Sequence, residues 1–214
     1  MTVKDYERPA VAVDLVLFRI HEKNLQVALI KRNVQDVENG KWSLPGGFVD
    51  IDKTLVETLY GKVADKLGFD HFGVRQFTIR DNPARDNRWR VISCVYMAGT
   101  KTEEENDKFT WFTIDGHILR SPNVTIEYNL LAFDHASMIK EAIDVLRRDL
   151  LSCDEVYDMT GYNFTLSELK ATCEAIVGHK IDNFARKTRE LVEPTGEVLK
   201  GKRNRPAKYY RRKQ

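Results

Sequence analysis

The sequence predicts an α+β chain of 214 residues in two parts: a strand-and-helix body over residues 1–152 and a small basic module over residues 153–214. Three observations carry that reading. An alternating apolar hairpin, a glycine turn and a helix of apolar period four follow one another before Gly68. Two short helices with clear start and stop signals, then two short strands about a basic turn, close the chain. Charge divides the chain as well. Residues 179–214 hold 12 Lys or Arg against 4 Asp or Glu, so this end carries +8 and the rest −6, although the whole sums to +2.

In the body, Val11, Val13, Leu15 and Leu17 alternate along the first strand of a hairpin over residues 10–30. The turn is Glu22-Lys23-Asn24, and Val27-Ala28-Leu29-Ile30 forms the returning strand. Leu55, Leu59, Val63 and Leu67 recur every four residues, which predicts a helix over 54–67 closed by Gly68. Strands are expected over 73–80 and 90–97 and near 109–112. Met138, Ile139, Ala142, Ile143, Leu146 and Leu150 share a face of a second helix, with Asp134 as its candidate cap. Residues 152–163 show no period and mark the expected boundary.

In the module, Thr165-Leu166-Ser167-Glu168 is a capping box: the threonine hydroxyl and the glutamate carboxylate each satisfy the other's backbone amide. The helix it opens runs to Val177, where Gly178 stops it, and Asp182 is placed to cap a second helix over 183–191. Two helices about a short glycine-containing turn form a helix-turn-helix pattern. Val198-Leu199 and Ala207-Lys208-Tyr209-Tyr210, either side of a basic turn over 200–206, read as a wing.

Composition excludes several classes. Hydrophobic residues at 42% support a packed core. No apolar run approaches the ~18 residues that a membrane span needs, and the first residues contain no apolar leader. Cys94, Cys153 and Cys173 are sparse, odd in number and unpaired in spacing, as expected of buried thiols in a reducing, cytoplasmic setting.

Leu44-Pro45-Gly46-Gly47-Phe48-Val49, followed by a helix ending at Leu67-Gly68-Phe69, resembles the Nudix fold, an α/β/α sandwich about a mixed sheet. The Nudix signature aligns with Gly47 as its first glycine, Val63 at the internal apolar position, and Gly68 and Phe69 at the end. Its charged positions differ. Lys53 stands at the first glutamate, Gly61-Lys62 at the Arg-Glu pair and Asp65-Lys66 at the Glu-Glu pair. The resemblance implies Mg²⁺ held by clustered carboxylates. Three ammonium groups oppose that, so the expectation is no metal, no cofactor and no useful pyrophosphate hydrolysis. An off-register metal site at Asp50, Asp52 and Glu57 is the alternative. The lysines could instead hold a phosphate-bearing ligand, with Gly46 and Gly47 serving either close ligand approach or a tight turn.

Residues 80–90 hold four arginines and Trp89 between two expected strands. Arginine forks suit phosphate oxygens, and a solvated loop of Arg–Asp pairs is the plain alternative. The segment resembles one in Nudix-related regulators, and the expected effector site comprises Arg32, Gly46, Gly47, Phe48, Arg80, Asp81, Arg85, Arg88 and Arg90. At the other end, Asn183, Arg186, Lys187 and Arg189 lie on the expected recognition helix, and Lys200, Lys202, Arg203, Arg205 and Lys208 on the wing. In this architecture the second helix enters the DNA major groove and basic residues grip phosphates.

Taken with Phe133-Asp134-His135 and Phe164-Thr165-Leu166-Ser167-Glu168-Leu169, the whole chain resembles the NrtR family of Nudix-related bacterial transcriptional regulators. The resemblance implies a homodimeric repressor that binds double-stranded operator DNA and responds to ADP-ribose or a related NAD-derived nucleotide. A sugar-responsive regulator of the arabinose type and a divergent Nudix hydrolase are the rival expectations. The helix over 137–150 is expected to couple the two parts.

Overall fold

The computed structural model describes residues 7–33, 35, 37–199 and 206–213. Four expected wing residues, Lys200, Lys202, Arg203 and Arg205, therefore lie outside the described residues. The chain begins with β1 (Ala10–His21), which turns at Glu22 and Lys23 into β2 (Asn24–Lys31). Both turn residues have positive φ, 48° and 65°, the backbone that a two-residue hairpin loop requires. β3 (Trp42–Ser43) pairs with β2, and β4 (Gly46–Phe48) pairs with β1. α1 (Leu55–Leu67) follows, then β5 (Arg75–Arg80), β6 (Val91–Gly99), β7 (Thr110–Asp115), β8 (Ile118–Arg120) and β9 (Thr125–Glu127). Among the described residues the sheet has nine strands, ordered β5-β6-β1-β2-β7-β8-β9 with β3 and β4 at its margin. β1 runs parallel to β6.

β1 is buried on both faces. Val13, Leu15 and Leu17 pack toward Leu59, Val63 and Leu67 of α1, whereas Val16 and Phe18 face the opposite layer. That second layer contains α2 (His135–Arg148) and α3 (Asp154–Thr160). The expected alternation thus marks one buried face of a strand that has two, as a central parallel strand does. α1 starts with a capping box that the apolar pattern did not reveal. Thr54 Oγ1 accepts from the Glu57 amide, and Glu57 accepts from the Thr54 amide at 2.8 Å. Gly68 ends the helix with φ of 86°.

α3 occupies the stretch read as an aperiodic boundary. Its seven residues bury Val156, Tyr157 and Met159, too short a run to show a helical period. Gly99 lets β6 meet it, since a Cβ at Gly99 would lie 2.1 Å from the Glu155 carbonyl oxygen. Arg75 of β5 clamps Glu155 through two hydrogen bonds of 2.8 and 3.1 Å, and Glu155 is only 2% exposed.

β10 (Phe164–Thr165), α4 (Leu166–Val177), α5 (Phe184–Thr188), β11 (Val192–Leu199) and β12 (Ala207–Arg212) complete the chain. The strands form a three-stranded sheet, β10-β12-β11. Thr165 and Glu168 make the expected capping box, and Gly178 closes α4 at φ of 78°. Two expected caps differ. Asn183, at φ of 55°, rather than Asp182, precedes α5, and its side chain makes no capping hydrogen bond. Asp134 does precede α2 but likewise does not cap it, because its carboxylate is held by an arginine. α5 is also shorter than the expected 183–191, because the chain turns at Leu191 into β11.

One apolar cluster spans both parts. Phe164, Leu169, Cys173, Ile176, Phe184 and Val192 pack in the same core as Phe18, Leu29, Met97 and Met138. No helix among the described residues is long and apolar enough to cross a membrane. This shared core predicts a single cooperative unfolding transition, detected alike by far-ultraviolet dichroism and tryptophan fluorescence. Gly99→Ala should destabilise the fold by at least about 2 kcal/mol, because the added methyl meets backbone that cannot rotate away. A denaturant titration measures this.

Candidate functional site

A cavity of about 260 Å³ opens where β1, β4, α1, the segment after β5 and the start of α2 converge. Its lining includes Arg32, Lys66, Arg85 and Arg88, together with Asp14, Asp86, Phe48, Phe133 and His135. Each cation is held by chemistry of its own. Arg85 makes a bidentate pair with Asp134, with N···O distances of 2.8 and 3.2 Å, and lies 3.8 Å from Asp14. Arg88 grips Asp86 at 2.7 and 2.9 Å and lies over the rings of Phe48 and Phe133, 5.8 and 5.6 Å from their centroids. That pair holds the Asp86 carboxyl below the usual range. Arg32 lies 5.1 Å over the Phe133 ring and donates to the Val37 carbonyl. Lys66 donates to the Gly46 carbonyl.

Of the expected effector residues, the structure brings together Arg32, Gly46, Gly47, Phe48, Arg85 and Arg88. Arg80, Asp81 and Arg90 do not line the cavity. Arg80 reaches Glu141 on α2 at 2.5 Å, and Arg90 donates to the Asp81 carbonyl within its own loop. Gly46 is needed for the tight pairing of β4 on β1: a Cβ there would lie 2.2 Å from the Val13 carbonyl oxygen. Asp14, Asp86, Phe133 and His135 also line the cavity and are not among the expected effector residues. The first is a lone acid inside an apolar strand, a signal that could have been read, because a buried carboxylate needs partners. Asp14 finds one in Ser93, whose hydroxyl donates to it at 2.6 Å.

His135 is 4% exposed, and its Nδ1 accepts the Leu44 backbone N–H at 2.9 Å. The neutral ring therefore carries its proton on Nε2, which lies 3.8 Å from Asp14. Burial pushes the imidazole below its ordinary value; the Asp14 and Asp134 charges oppose that push only in part.

At the other end of the molecule, α4, α5 and the β11–β12 pair form the helix-turn-helix and the stem of the wing. Phe184 and Thr188 turn inward, leaving Arg186 and Lys187 of α5 exposed, together with Asn183 and Arg189 that flank it. Lys208 is exposed on β12.

Comparison with known proteins finds two family models along the chain. Residues 8–132 match the NUDIX domain family, and residues 156–212 match the NrtR DNA-binding winged helix domain family. The chain belongs to the NrtR family. It is 30% identical over 217 residues to an ADPR responsive transcriptional repressor, NtrR, of Acinetobacter baylyi, covering 97% of this chain and 83% of the relative. A MutT/nudix family protein from Enterococcus faecalis superposes with a TM-score of 0.82 at 26% identity, over 98% of this chain and 90% of the other. NrtR of Shewanella oneidensis, in a crystal structure with a 27mer DNA, gives a TM-score of 0.74 at 27% identity over 95% and 93% of the two chains. The NUDIX domain of that protein, crystallised with ADP ribose, gives 0.51 at 26% identity, covering 68% of this chain and 94% of the domain.

The Nudix relationship implies Mg²⁺, and the residues of this NrtR-family chain do not fit it. Lys53 and Lys62 both clamp Asp50, at 3.0 and 2.8 Å, and hold its carboxyl below the ordinary range. Glu57, another of the three off-register carboxylates, is engaged by the Thr54 cap. Lys66 places an ammonium on the Gly46 carbonyl. Among the described residues, no group of three or more His, Cys, Asp or Glu is placed to hold a metal ion.

The buried His135 has a pH signature. Below an unfolded-state value of about 6.5, the unfolded chain takes up a proton that the buried ring resists, so this residue's contribution to stability is lost as pH falls. His135→Gln retains an acceptor for the Leu44 amide, and its melting temperature should fall less than wild type's between about pH 7 and about pH 5.

Proposed function

We propose that this NrtR-family chain is an ADP-ribose-responsive DNA-binding repressor, acting as a homodimer in the cytoplasm. Its Nudix body, residues 1–152, senses the nucleotide, and its winged helix, residues 153–214, reads the operator. The observation that carries this is the join of a cation-lined Nudix cavity to a basic winged helix within one apolar core. The responses of the Acinetobacter relative and the ADP ribose of the Shewanella structure support the choice of ligand over a sugar. A diphosphate suits guanidinium and ammonium partners such as Arg32, Lys66, Arg85 and Arg88, with Phe48 and Phe133 offering rings for stacking. A neutral sugar has no use for so much positive charge. Gly46 and Gly47 shape the wall of this site.

On the DNA side, Asn183, Arg186, Lys187 and Arg189 form the recognition face. Lys208 and the wing residues Lys200, Lys202, Arg203 and Arg205 grip phosphates. The body binds the nucleotide without hydrolysing it, because Lys53, Gly61, Lys62 and Lys66 stand where the signature supplies carboxylates and arginine.

Two measurements test the proposal. Replacing Arg186 and Lys187 with alanine should weaken operator binding and reduce the slope of log affinity against log salt by about 1.8, about 0.9 per lost phosphate contact. ADP-ribose affinity by calorimetry should be unchanged; operator affinity equal to wild type would remove α5 from the interface. In a product assay with Mg²⁺, the purified protein should leave ADP-ribose intact; turnover abolished by Asp65→Ala would establish the hydrolase reading.

A further inference from the structure

We propose that Asp134 is the positioning residue through which the cavity's occupant acts on the winged helix, by competing with that occupant for Arg85. The proposal rests on the reading of the cavity as the site of an anionic effector.

The wall of the cavity and the start of α2 are consecutive residues. Phe133 presents its ring to Arg32 and Arg88, Asp134 holds Arg85, and His135 is pinned by the Leu44 amide. Phe133 adopts φ of 51°, a left-handed backbone that is costly for an aromatic residue and persists only where its surroundings impose it. The junction is therefore tightly determined from the cavity side.

α2 is tied to its surroundings at three levels. Asp134, just before its first turn, is held by Arg85; Glu141, in the middle, by Arg80; and Arg147, in the last turn, donates to the Ile176 carbonyl of α4 at 3.1 Å. The two arginines belong to one segment, from the end of β5 into the following loop. At its far end, α2 touches the helix that opens the helix-turn-helix. Met138, Ile139, Ala142 and Leu146 of α2 also pack in the cluster that contains Leu169, Cys173 and Ile176 of α4. α2 is thus a rigid element with one end in the cavity wall and the other on the DNA-binding module.

Arg85 lines the cavity, and its side chain is only 5% exposed. Its bidentate face is engaged by Asp134. Asp134 does not cap α2, so its ion pair is separable from helix formation itself. A phosphate entering the cavity brings oxygens that match the same guanidinium fork. To the extent that it takes Arg85, it removes the restraint at the start of α2. Arg88 pairs with Asp86, two residues away, and lies over the Phe133 ring, so it meets the α2 junction through an aromatic face and not through a carboxylate fork. By linkage, whatever the ligand gains in one arrangement of α2, the operator must gain or lose by the same factor.

The experiment uses the full-length protein, ADP-ribose and operator DNA. Operator affinity is measured by fluorescence anisotropy with and without ADP-ribose, and ADP-ribose affinity by calorimetry. Wild type should show an affinity ratio in the range of about 5- to 150-fold expected of coupled sites. Asp134→Asn removes the competitor for Arg85, so ADP-ribose should bind several-fold tighter while the ratio falls to within about twofold of unity. Arg147→Ala cuts the far attachment, so the ratio should also fall while ADP-ribose affinity stays at the wild-type value. A variant that melts early but keeps the wild-type ratio overturns the proposal, as does an Asp134→Asn protein with unchanged ADP-ribose affinity and ratio. Failure of wild type itself to bind ADP-ribose would overturn the effector reading on which the proposal stands, and is distinguished from those outcomes by the wild-type control.

Discussion

The burial of β1 on both faces is the constraint on which the rest of the molecule depends. A strand with Val13, Leu15 and Leu17 on one side and Val16 and Phe18 on the other needs apolar cover above and below. α1 covers the first side. The second is covered by α2 and α3, and α4 packs into the same cluster. The winged helix is consequently part of the cover of the sheet, unlike a module carried on a loose linker. Such an arrangement suits a sensor. Packed interiors are close to incompressible, so a shift of one helix is passed to its neighbour rather than absorbed.

The cavity shows how positive charge is kept in a partly buried place. Arg85 and Arg88 are nearly or partly removed from water, and each is compensated by a carboxylate in bidentate geometry. Burying such charges without partners would cost several kcal/mol each. The carboxylates that make the arginines tolerable also orient them and set the competition that any anion must meet. Lysines at three signature positions act similarly. Two pair with Asp50, and the third rests on the carbonyl of Gly46, so ammonium groups occupy part of the place where a Nudix enzyme gathers negative charge. The +2 of the whole chain conceals this placement as well as the basic outer face of α5.

Much of the fold was legible because it is written in local signals. The Thr165–Glu168 capping box, the glycines Gly68 and Gly178 at left-handed helix ends, and the period-four apolar face of α1 each act within a few residues, and the structure contains all of them. The stretch that became α3 was not legible, since seven residues cannot display a helical period and its burial depends on Gly99, far away in sequence. Among cavity residues, the arginines could be named by type but not sorted. Arg80 and Arg85 are five residues apart and chemically identical, yet one reaches the middle of α2 and the other the cavity.

The sequence by itself determined the order of elements, the family of the fold, the basic character of the DNA-reading end and the replacement of every signature carboxylate but Asp65, because each is a property of residue type and short-range spacing. The tertiary structure decided which arginine meets which carboxylate. It also decided that Asp134 restrains Arg85 instead of capping a helix, and that His135 is buried and neutral. These outcomes depend on distances between residues such as Asp14, Arg85 and Asp134, which lie far apart along the chain and come together only when the sheet is closed on both sides.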